Sequence, residues 1–282
     1  MSEHTRTFSL GRARISVINI GDIHLPLAGH MNISEDDLNS RDDLYGLKGQ
    51  TTLPIHNILV RLPEVTVLID AGDYAPARNH EVYGIEGYTP PPDLENQLAD
   101  MLVYPHDIDH LIITHRHWDH FNATTHNMDG RYVMRFSDAA HYLGAADWDK
   151  AQAAMAENQD AIEHHTLAVI EDWLIQVEDR LDLGHGVDII PAPGETVGHQ
   201  IVRIHSDGET LYCLGDLYHH PAEFLNPEWM VNWANPDQTR TSRQSLIPNV
   251  LSENALLIAT HIPDVGRLRQ QDSTIVWEPI EI

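Results

Sequence analysis

The stretch "LIITHRHWDHFN", residues 111–122, concentrates metal-binding side chains directly behind an apolar run. The run predicts a short strand, and His115 and His117 follow it with one residue between them. Residues two apart share a face of a strand, so both imidazoles can reach one ion. Asp119 and His120 lie just beyond, where a bend can direct them to a second point. Nitrogen and oxygen donors this closely spaced favour a divalent transition metal over a surface cluster of unrelated residues.

The amino-acid composition limits the classes of partner and the kinds of metal ligand that this protein can use. The chain of 282 residues has 17 Lys and Arg against 43 Asp and Glu, a net charge of −26 that disfavours binding to nucleic acid. Cys213 is the single cysteine and lies within an apolar strand pattern, which predicts a buried packing residue. A zinc site built on thiolates is therefore excluded. Histidine and carboxylate ligands suit zinc, iron, manganese or cobalt.

The sequence also lacks the usual signals for a membrane or secreted location. No run of 18 apolar residues is present, so no membrane span is predicted. The first residues lack the apolar stretch of a secretory signal. These observations predict a cytosolic protein.

The order of predicted elements favours an α/β fold in one domain, residues 1–282. Strands are predicted at "RISVINIG", "IHNILVRL" and "VTVLIDAGD", and again in the second half of the chain. Helices are predicted at "PPPDLENQLADMLV", "GAADWDKAQAAMAEN", "DAIEHHTLAVIEDWLIQV" and "PDQTRTSRQSLIPNVLS". The second half loosely repeats the order of the first. This pattern predicts two mixed sheets packed together with helices outside.

A polar, turn-rich segment at about 24–50 separates the first two strands and is predicted to be a long loop. A loop of this length suggests two roles, covering a pocket or holding a second subunit. We expect a homodimer on the second interpretation.

Three further motifs place single metal-binding residues beside apolar strands. "APGETVGHQ" supplies His199, "YCLGDLYHH" supplies Asp216 and "LLIATHIP" supplies His261. With the H-x-H-x-D-H signature at residues 115–120, this order resembles the metallo-β-lactamase-fold hydrolases. The resemblance extends over about residues 15 to 280.

The resemblance implies an αββα sandwich of two mixed β-sheets flanked by helices, with two divalent metal ions, zinc being favoured. It assigns His115, His117 and His199 to one ion, Asp119, His120 and His261 to the second, and Asp216 to both. A hydroxide shared by the two ions would attack an electrophilic carbonyl or phosphorus, and Asp119 would also orient that nucleophile.

Two positions depart from the family pattern. Asn122 stands where a glycine is usual after the signature, and we expect it to preserve the bend because asparagine tolerates left-handed backbone. Glu195 stands where the third motif often has its first histidine. Both departures predict changes around the ligands rather than loss of a ligand. Asp70, at a family-typical position under the site, is expected to support a ligand or fix a turn.

The stretches that follow the motifs resemble the branch with lactonases and methyl parathion hydrolase-like enzymes, which favours a lactone or related ester as substrate. Phosphotriesters and thioesters stay open as alternative substrates. A non-catalytic binding platform or a mononuclear iron dioxygenase of the same fold would be a different class of function.

Two residues after Asp216 are candidates for direct assistance to catalysis. Lactonases of this fold often carry a tyrosine three residues after that aspartate; here the position is His219, with Tyr218 beside it. Either side chain can stabilise an oxyanion or protonate a leaving group. Large apolar residues are expected to line the entrance: Trp118, Phe121, Phe224, Trp229, Met230 and Trp233.

Overall fold

Two seven-stranded mixed sheets form the centre of the molecule. The structure is a computed structural model that describes residues 4–31, 33–40, 42–74, 87–272 and 274–282. The first sheet has the order β1-β2-β3-β4-β5-β8-β9. Its strands are β1 (Thr5–Leu10), β2 (Ala13–Leu25), β3 (Thr51–Arg61), β4 (Thr66–Ile69), β5 (His110–Ile112), β8 (Ala140–Gly144) and β9 (Leu174–Val177). β1 to β4 pair antiparallel, whereas β4, β5, β8 and β9 run parallel.

The second sheet is built from the later strands in sequence order, β10 to β16. They are β10 (Leu181–Asp182), β11 (Val187–Pro191), β12 (Gln200–Ser206), β13 (Glu209–Cys213), β14 (Leu256–Ile258), β15 (Gly266–Gln271) and β16 (Thr274–Pro279). β13 and β14 pair in parallel, and the other neighbouring strands of this sheet pair antiparallel. A separate hairpin joins β6 (Thr125–Met128) to β7 (Arg131–Met134).

Six α-helices and five 3-10 helices lie in the described part of the chain. The α-helices are α1 (Leu27–His30), α2 (Glu35–Ser40), α3 (Leu94–Asp100), α4 (Trp118–Phe121), α5 (Ala145–Glu157) and α6 (Pro236–Glu253). The 3-10 helices span Asp42–Leu47, Pro105–Asp107, Ile162–His165, Leu167–Trp173 and Pro221–Phe224. The two longest helices, α5 and α6, pack against the first and the second sheet respectively.

Three apolar clusters show the order of the layers. One cluster joins the facing sides of the two sheets, with Val60 and Ile112 from the first and Val202 from the second. A second cluster covers the outer face of the first sheet with α3 and α5. A third packs α6, through Leu246, on the outer face of the second sheet. Helices therefore flank two face-to-face sheets, and the predicted αββα fold class is confirmed.

Two helix predictions need correction. "DAIEHHTLAVIEDWLIQV" does not form one helix: it folds as two 3-10 helices followed by β9. Its end, "LIQV", pairs in parallel with β8 as the edge strand of the first sheet, and this tertiary pairing overrides the local helical pattern. In the first predicted helix, α3 ends at Asp100, and Leu102 has a φ of 57° and is 79 % exposed. The helix predicted for "PPPDLENQLADMLV" therefore ends before Leu102, which does not join the buried residues Leu94 and Leu98.

The segment at about 24–50 is more regular than its composition suggests. It contains α1, α2 and a 3-10 helix, and its apolar residues Leu27, Met31, Leu44 and Leu47 are buried against the outer face of the first sheet. In the described residues, no helix is both long enough and apolar enough to cross a membrane.

Candidate metal centre

The predicted metal-binding residues meet at one edge of the sandwich. His115 follows the end of β5, and His199 stands immediately before β12. Asp216 and His261 each come three residues after the end of a strand, β13 and β14. The sheets stack these strand ends above one another, so residues far apart in sequence converge.

The turn after β4 supports the turn after β5. Asp70 has a left-handed φ of 62°, and its carboxylate accepts hydrogen bonds from the Thr114 backbone N–H at 2.7 Å and its hydroxyl at 3.0 Å. The same carboxylate lies 2.8 Å from Nδ1 of His120. Because a carboxylate only accepts, Nδ1 carries the proton and Nε2 keeps its lone pair. Asp70 thus has the supporting role expected of it.

Asn122 holds the bend in a different way from the one predicted. Its φ is −66°, so the backbone is right-handed rather than left-handed. The side chain instead bridges to the neighbouring turn, where it accepts from the Asp73 N–H at 2.6 Å and donates to the Asp73 carbonyl at 2.7 Å. The bend therefore depends on amide hydrogen bonds that glycine lacks.

Two glycines permit the close approach of backbone around the site. A Cβ at Gly72 would lie 1.6 Å from the backbone oxygen of Asp119. Gly215 has a φ of 53°, and a Cβ there would lie 2.7 Å from Nε2 of His199. Both positions need glycine for the signature loop and the Asp216 loop to meet.

A second buried carboxylate, Asp147 at the start of α5, joins two loops of the site. It accepts from the Arg116 N–H at 2.9 Å, from the Thr196 hydroxyl at 2.7 Å and from the Gly198 N–H at 2.8 Å. The loop after β5 and the loop before β12 are therefore fixed to one side chain. No local sequence pattern around Asp147 indicates this role.

Asp216 is the centre of the cluster. Its Oδ2 lies 3.1 Å from Nε2 of His261 and 3.3 Å from Nε2 of His120. Nε2 of His219 and of His115 follow at 3.6 Å and 3.7 Å. Burial would raise the pKa of Asp216, but the neighbouring histidines outweigh it and hold that pKa well below its usual range. Asp216 is therefore an anion surrounded by imidazoles.

Two of the other imidazoles are fixed by backbone carbonyls. Nδ1 of His261 lies 2.8 Å from the Pro54 carbonyl, and Nδ1 of His199 lies 3.0 Å from the Ala192 carbonyl. A carbonyl only accepts, so both rings carry their proton on Nδ1. Their Nε2 lone pairs face the cluster, which is the orientation that metal-ligating histidines show.

The chemistry of this donor set fits a bound cation. Nε2 of His115 and Oδ1 of Asp216 are buried and have no hydrogen-bond partner among the described residues. Burial, together with the His120 and His117 rings, lowers the pKa of His115 well below its usual range, and burial also lowers that of His199. His115 is therefore a neutral imidazole, and its unshared lone pair beside a carboxylate is costly to bury unless a metal ion uses it.

The candidate ligands form three overlapping groups, and within each group the donor atoms lie within 4.8 Å of one another; the third consists of Asp216, His219 and His261. The first group is His115, His117, Glu195 and Asp216, and the second group is Asp119, His120 and His261. Six of the seven predicted ligands are thus brought together. The seventh, His199, packs its ring 5.1 Å from the His115 ring, and its Nε2 accepts the Asp216 N–H at 3.1 Å.

His219 and Tyr218 point to different environments. His219 is a cavity-lining residue whose ring stacks 5.6 Å from that of His261. Tyr218 is 1 % exposed, with its ring stacked on Phe224 at 3.9 Å and under the Arg243 guanidinium at 4.2 Å. Of these two candidates for assistance to catalysis, His219 lines the cavity and Tyr218 does not.

A cavity of about 630 Å³ opens above the cluster. Its polar floor includes Asp119, Asp216, His219 and His261. Its apolar wall consists of Ile23, Leu25, Pro26, Leu53, Trp118 and Trp233.

Of the six large residues predicted at the entrance, only Trp118 and Trp233 line this cavity. The other four, Phe121, Phe224, Trp229 and Met230, are buried in the core and do not line it, which corrects that prediction.

Glu195 is the site residue whose importance the sequence understates. Its side chain is 2 % exposed, and its Oε1 lies 3.3 Å from Nδ1 of His117 and 3.7 Å from Nε2 of His219. The Trp233 indole N–H donates to the same oxygen at 2.6 Å. Burial would raise the pKa of Glu195, but His219 and His117 outweigh it and lower the pKa to about 2. The unusual residue in the third motif was the available signal.

Solved structures share this fold along almost the whole chain, while no family model matches the sequence. AidC, described as a dizinc quorum-quenching lactonase in complex with a product, has 20 % identity and a TM-score of 0.80, covering 99 % of this chain and 98 % of its own. AbOPH, a hydrolase in the β-lactamase superfamily, has 19 % identity and a TM-score of 0.81, covering 100 % and 99 %. A "probable metal-dependent hydrolase" from Staphylococcus aureus has 20 % identity and a TM-score of 0.79, covering 98 % and 99 %. At this identity the likeness establishes the fold alone, which this chain shares with these solved structures.

Proposed function

We propose that this protein is a metal-dependent hydrolase that opens a lactone or a related ester. The observation that carries the proposal is the convergence of four buried imidazole nitrogens on the Asp216 carboxylate at the floor of a cavity. A structural cluster would bury such groups inside the fold, whereas this one faces a space large enough for a substrate.

The seven residues of the motif pattern are proposed to hold two divalent ions, zinc being favoured. They are His115, His117, Asp119, His120, His199, Asp216 and His261. The description of AidC as a dizinc lactonase supports the proposed number and kind of ions. When bound, such ions supply Lewis acidity that polarises a carbonyl and turns water into a nucleophile at neutral pH.

The chain's own residues supply orientation and hydrogen bonds. The Asp119 carboxylate lies on the cavity floor, 3.5 Å from Nε2 of His261, where it can accept a proton of the attacking water and fix its direction. The imidazole of His219 lines the same floor and can donate a hydrogen bond to the oxygen that gains charge as the ring opens. Tyr218 has no part in this step because it is packed away from the cavity.

The cavity wall favours a small substrate with an apolar portion. His24, Leu25, Pro26 and His30, all from the segment at about 24–50, line the cavity. We therefore propose that this segment covers the pocket. An ester with a hydrocarbon substituent can place its carbonyl on the polar floor and the substituent on the apolar wall.

The first test is elemental analysis of the purified protein combined with a panel of small lactones on the same sample. We expect about two divalent ions per chain, as in dinuclear hydrolases, and lactone turnover. Bound metal without lactone turnover would direct the search to phosphotriesters and thioesters. A single iron with oxygen consumption would replace hydrolysis with oxidation, and absence of metal would favour a binding platform.

Removing a central ligand should abolish function. Asp216→Ala and His120→Ala should each lose most of the activity and at least one equivalent of metal, because Asp216 contacts both groups and His120 is fully buried among them. Metal content and lactone turnover measured on both variants check this. Tyr218→Phe is the matched control, and it should retain both. Full activity in either alanine variant would contradict the proposed site.

A further inference from the structure

We propose that Glu195 is itself a metal ligand, an additional carboxylate in the first group. This inference rests on the proposed metal centre and goes beyond the seven residues of the motif pattern. The donor atoms of His115, His117, Asp216 and Glu195 lie within 4.8 Å of one another. Around an ion with ligands at about 2.0–2.2 Å, neighbouring donor atoms stand roughly 3–4 Å apart.

The measured separations fit that requirement. Oε1 of Glu195 lies 3.3 Å from Nδ1 of His117, and Oδ2 of Asp216 lies 3.7 Å from Nε2 of His115. Nε2 of His115 is buried and lacks a hydrogen-bond partner among the described residues, so it is free to bind an ion between these groups. By contrast, Nε2 of His199 already accepts the Asp216 N–H at 3.1 Å. Oε1 of Glu195 is therefore closer to the first group than the ring of His199 in this arrangement, and it can join that group as a further donor.

The loop that carries Glu195 is held in place by contacts that leave its carboxylate facing the site. The Gly194 carbonyl accepts from the Asn235 N–H at 2.7 Å, and the Gly194 N–H donates to the Thr196 carbonyl at 2.9 Å. Asp147 fixes Thr196 from the other side at 2.7 Å. The Trp233 indole N–H then fixes Oε1 at 2.6 Å. A carboxylate fixed in this way loses little conformational freedom when a metal binds it.

A third carboxylate changes the charge of the centre. Two divalent cations would then face three carboxylates, those of Asp119, Asp216 and Glu195. The motif pattern alone provides only two carboxylates. Carboxylate oxygen favours harder ions such as manganese, whereas imidazole suits zinc. We therefore expect this chain to hold manganese more tightly relative to zinc than a site without Glu195 would.

Crystallography at the zinc absorption edge tests the contact directly. In zinc-loaded protein we expect a Glu195 oxygen at about 2.0–2.2 Å from one ion. A Glu195 carboxylate that contacts only His117, His219 and Trp233, with no ion within bonding distance, would overturn the proposal.

Glu195→Gln tests the same contact in solution, because glutamine preserves shape and can still accept from Trp233. Chelator competition should show that the affinity for zinc falls by about 100-fold or more. Loss of a residue that only hydrogen-bonds to a ligand typically lowers metal affinity by about 10–100-fold, so a larger loss indicates direct binding. Manganese affinity should fall further than zinc affinity. An unchanged affinity for zinc, together with an unchanged ratio of the manganese affinity to the zinc affinity, would contradict the proposal.

Glu253→Gln is the control for loss of a carboxylate. Glu253 pairs with Arg203 at 2.9 Å at the end of α6, and it does not line the cavity. It should leave metal affinity unchanged. The Glu195 proposal and the proposed hydrolase activity can fail separately. If the wild-type protein binds two ions but hydrolyses none of the tested esters, the proposed activity is wrong, and the contact between Glu195 and the metal can still be measured.

Discussion

Asp70 and Asp147 are two buried carboxylates under the same site, but they act on different parts of it. Asp70 reaches a candidate ligand directly, at 2.8 Å from Nδ1 of His120. Asp147 instead binds the backbone of Arg116 and Gly198 and the hydroxyl of Thr196. One carboxylate sets the protonation of a ring, and the other sets the spacing of two loops. We therefore expect their removal to affect different quantities.

The largest effect on folding should come from Asp147→Ala. Three donors lose their acceptor, and at about 1 kcal/mol for each partly buried group the free energy of unfolding should fall by roughly 3 kcal/mol. Urea denaturation of metal-free protein measures this. Asp149→Ala, an exposed position on the same helix, should change stability little. Equal stability of the two variants would show that Asp147 does not hold the loops.

Asp70→Asn should affect metal binding more than folding. The amide oxygen can still accept from Thr114, but the amide N–H faces Nδ1 of His120 and favours the tautomer with a proton on Nε2. Metal affinity of the second group should fall by about 10–100-fold, the usual cost of losing a partner behind a ligand. Chelator competition measures the loss.

Asp109→Asn provides the control, because its carboxylate accepts from the Thr66 N–H at 2.8 Å at the opposite end of β5. It should leave metal affinity unaltered. If Asp70→Asn behaved like this control, the contact between Asp70 and His120 would have no influence on the metal.

The smallest expected effect is on the stability of the same region in acid. His141 lies in β8, directly before the helix that carries Asp147, and burial lowers its pKa to about 4. The unfolded chain takes up this proton near the ordinary value of 6.5. Between these values the unfolded state binds more protons, so stability falls as pH falls through this window.

His141→Phe removes this titration. From about pH 7.5 to about pH 5.5, the wild type should lose about 1 kcal/mol more stability than the variant, as linkage requires. Urea denaturation at both pH values measures the difference. An identical pH dependence in the variant would assign the acid loss to other groups, among them His56, whose pKa burial lowers to about 3.

Much of the site could be predicted because it is encoded locally. The spacing of His115, His117, Asp119 and His120 behind an apolar strand is sufficient to indicate metal chemistry. Strand-end motifs indicate the remaining candidate ligands, and the fold class follows from the order of elements. Local patterns were less informative for residues 160–177. The last four of these residues form a strand because they pair in parallel with β8, and a local pattern does not show that pairing.

What the sequence by itself determined is the identity of the candidate donors and the layered α/β fold. Only the tertiary structure decided which residues surround those donors. Asp147 is one of many aspartates in an acidic chain, and its contact with Gly198 spans 51 residues. Glu195 and Trp233 are 38 residues apart, yet they share a 2.6 Å hydrogen bond above the first group. Tyr218 and His219 are neighbours with opposite environments. The physical reason is that motif spacing specifies donors along one strand, whereas packing of two sheets specifies which loops meet around them.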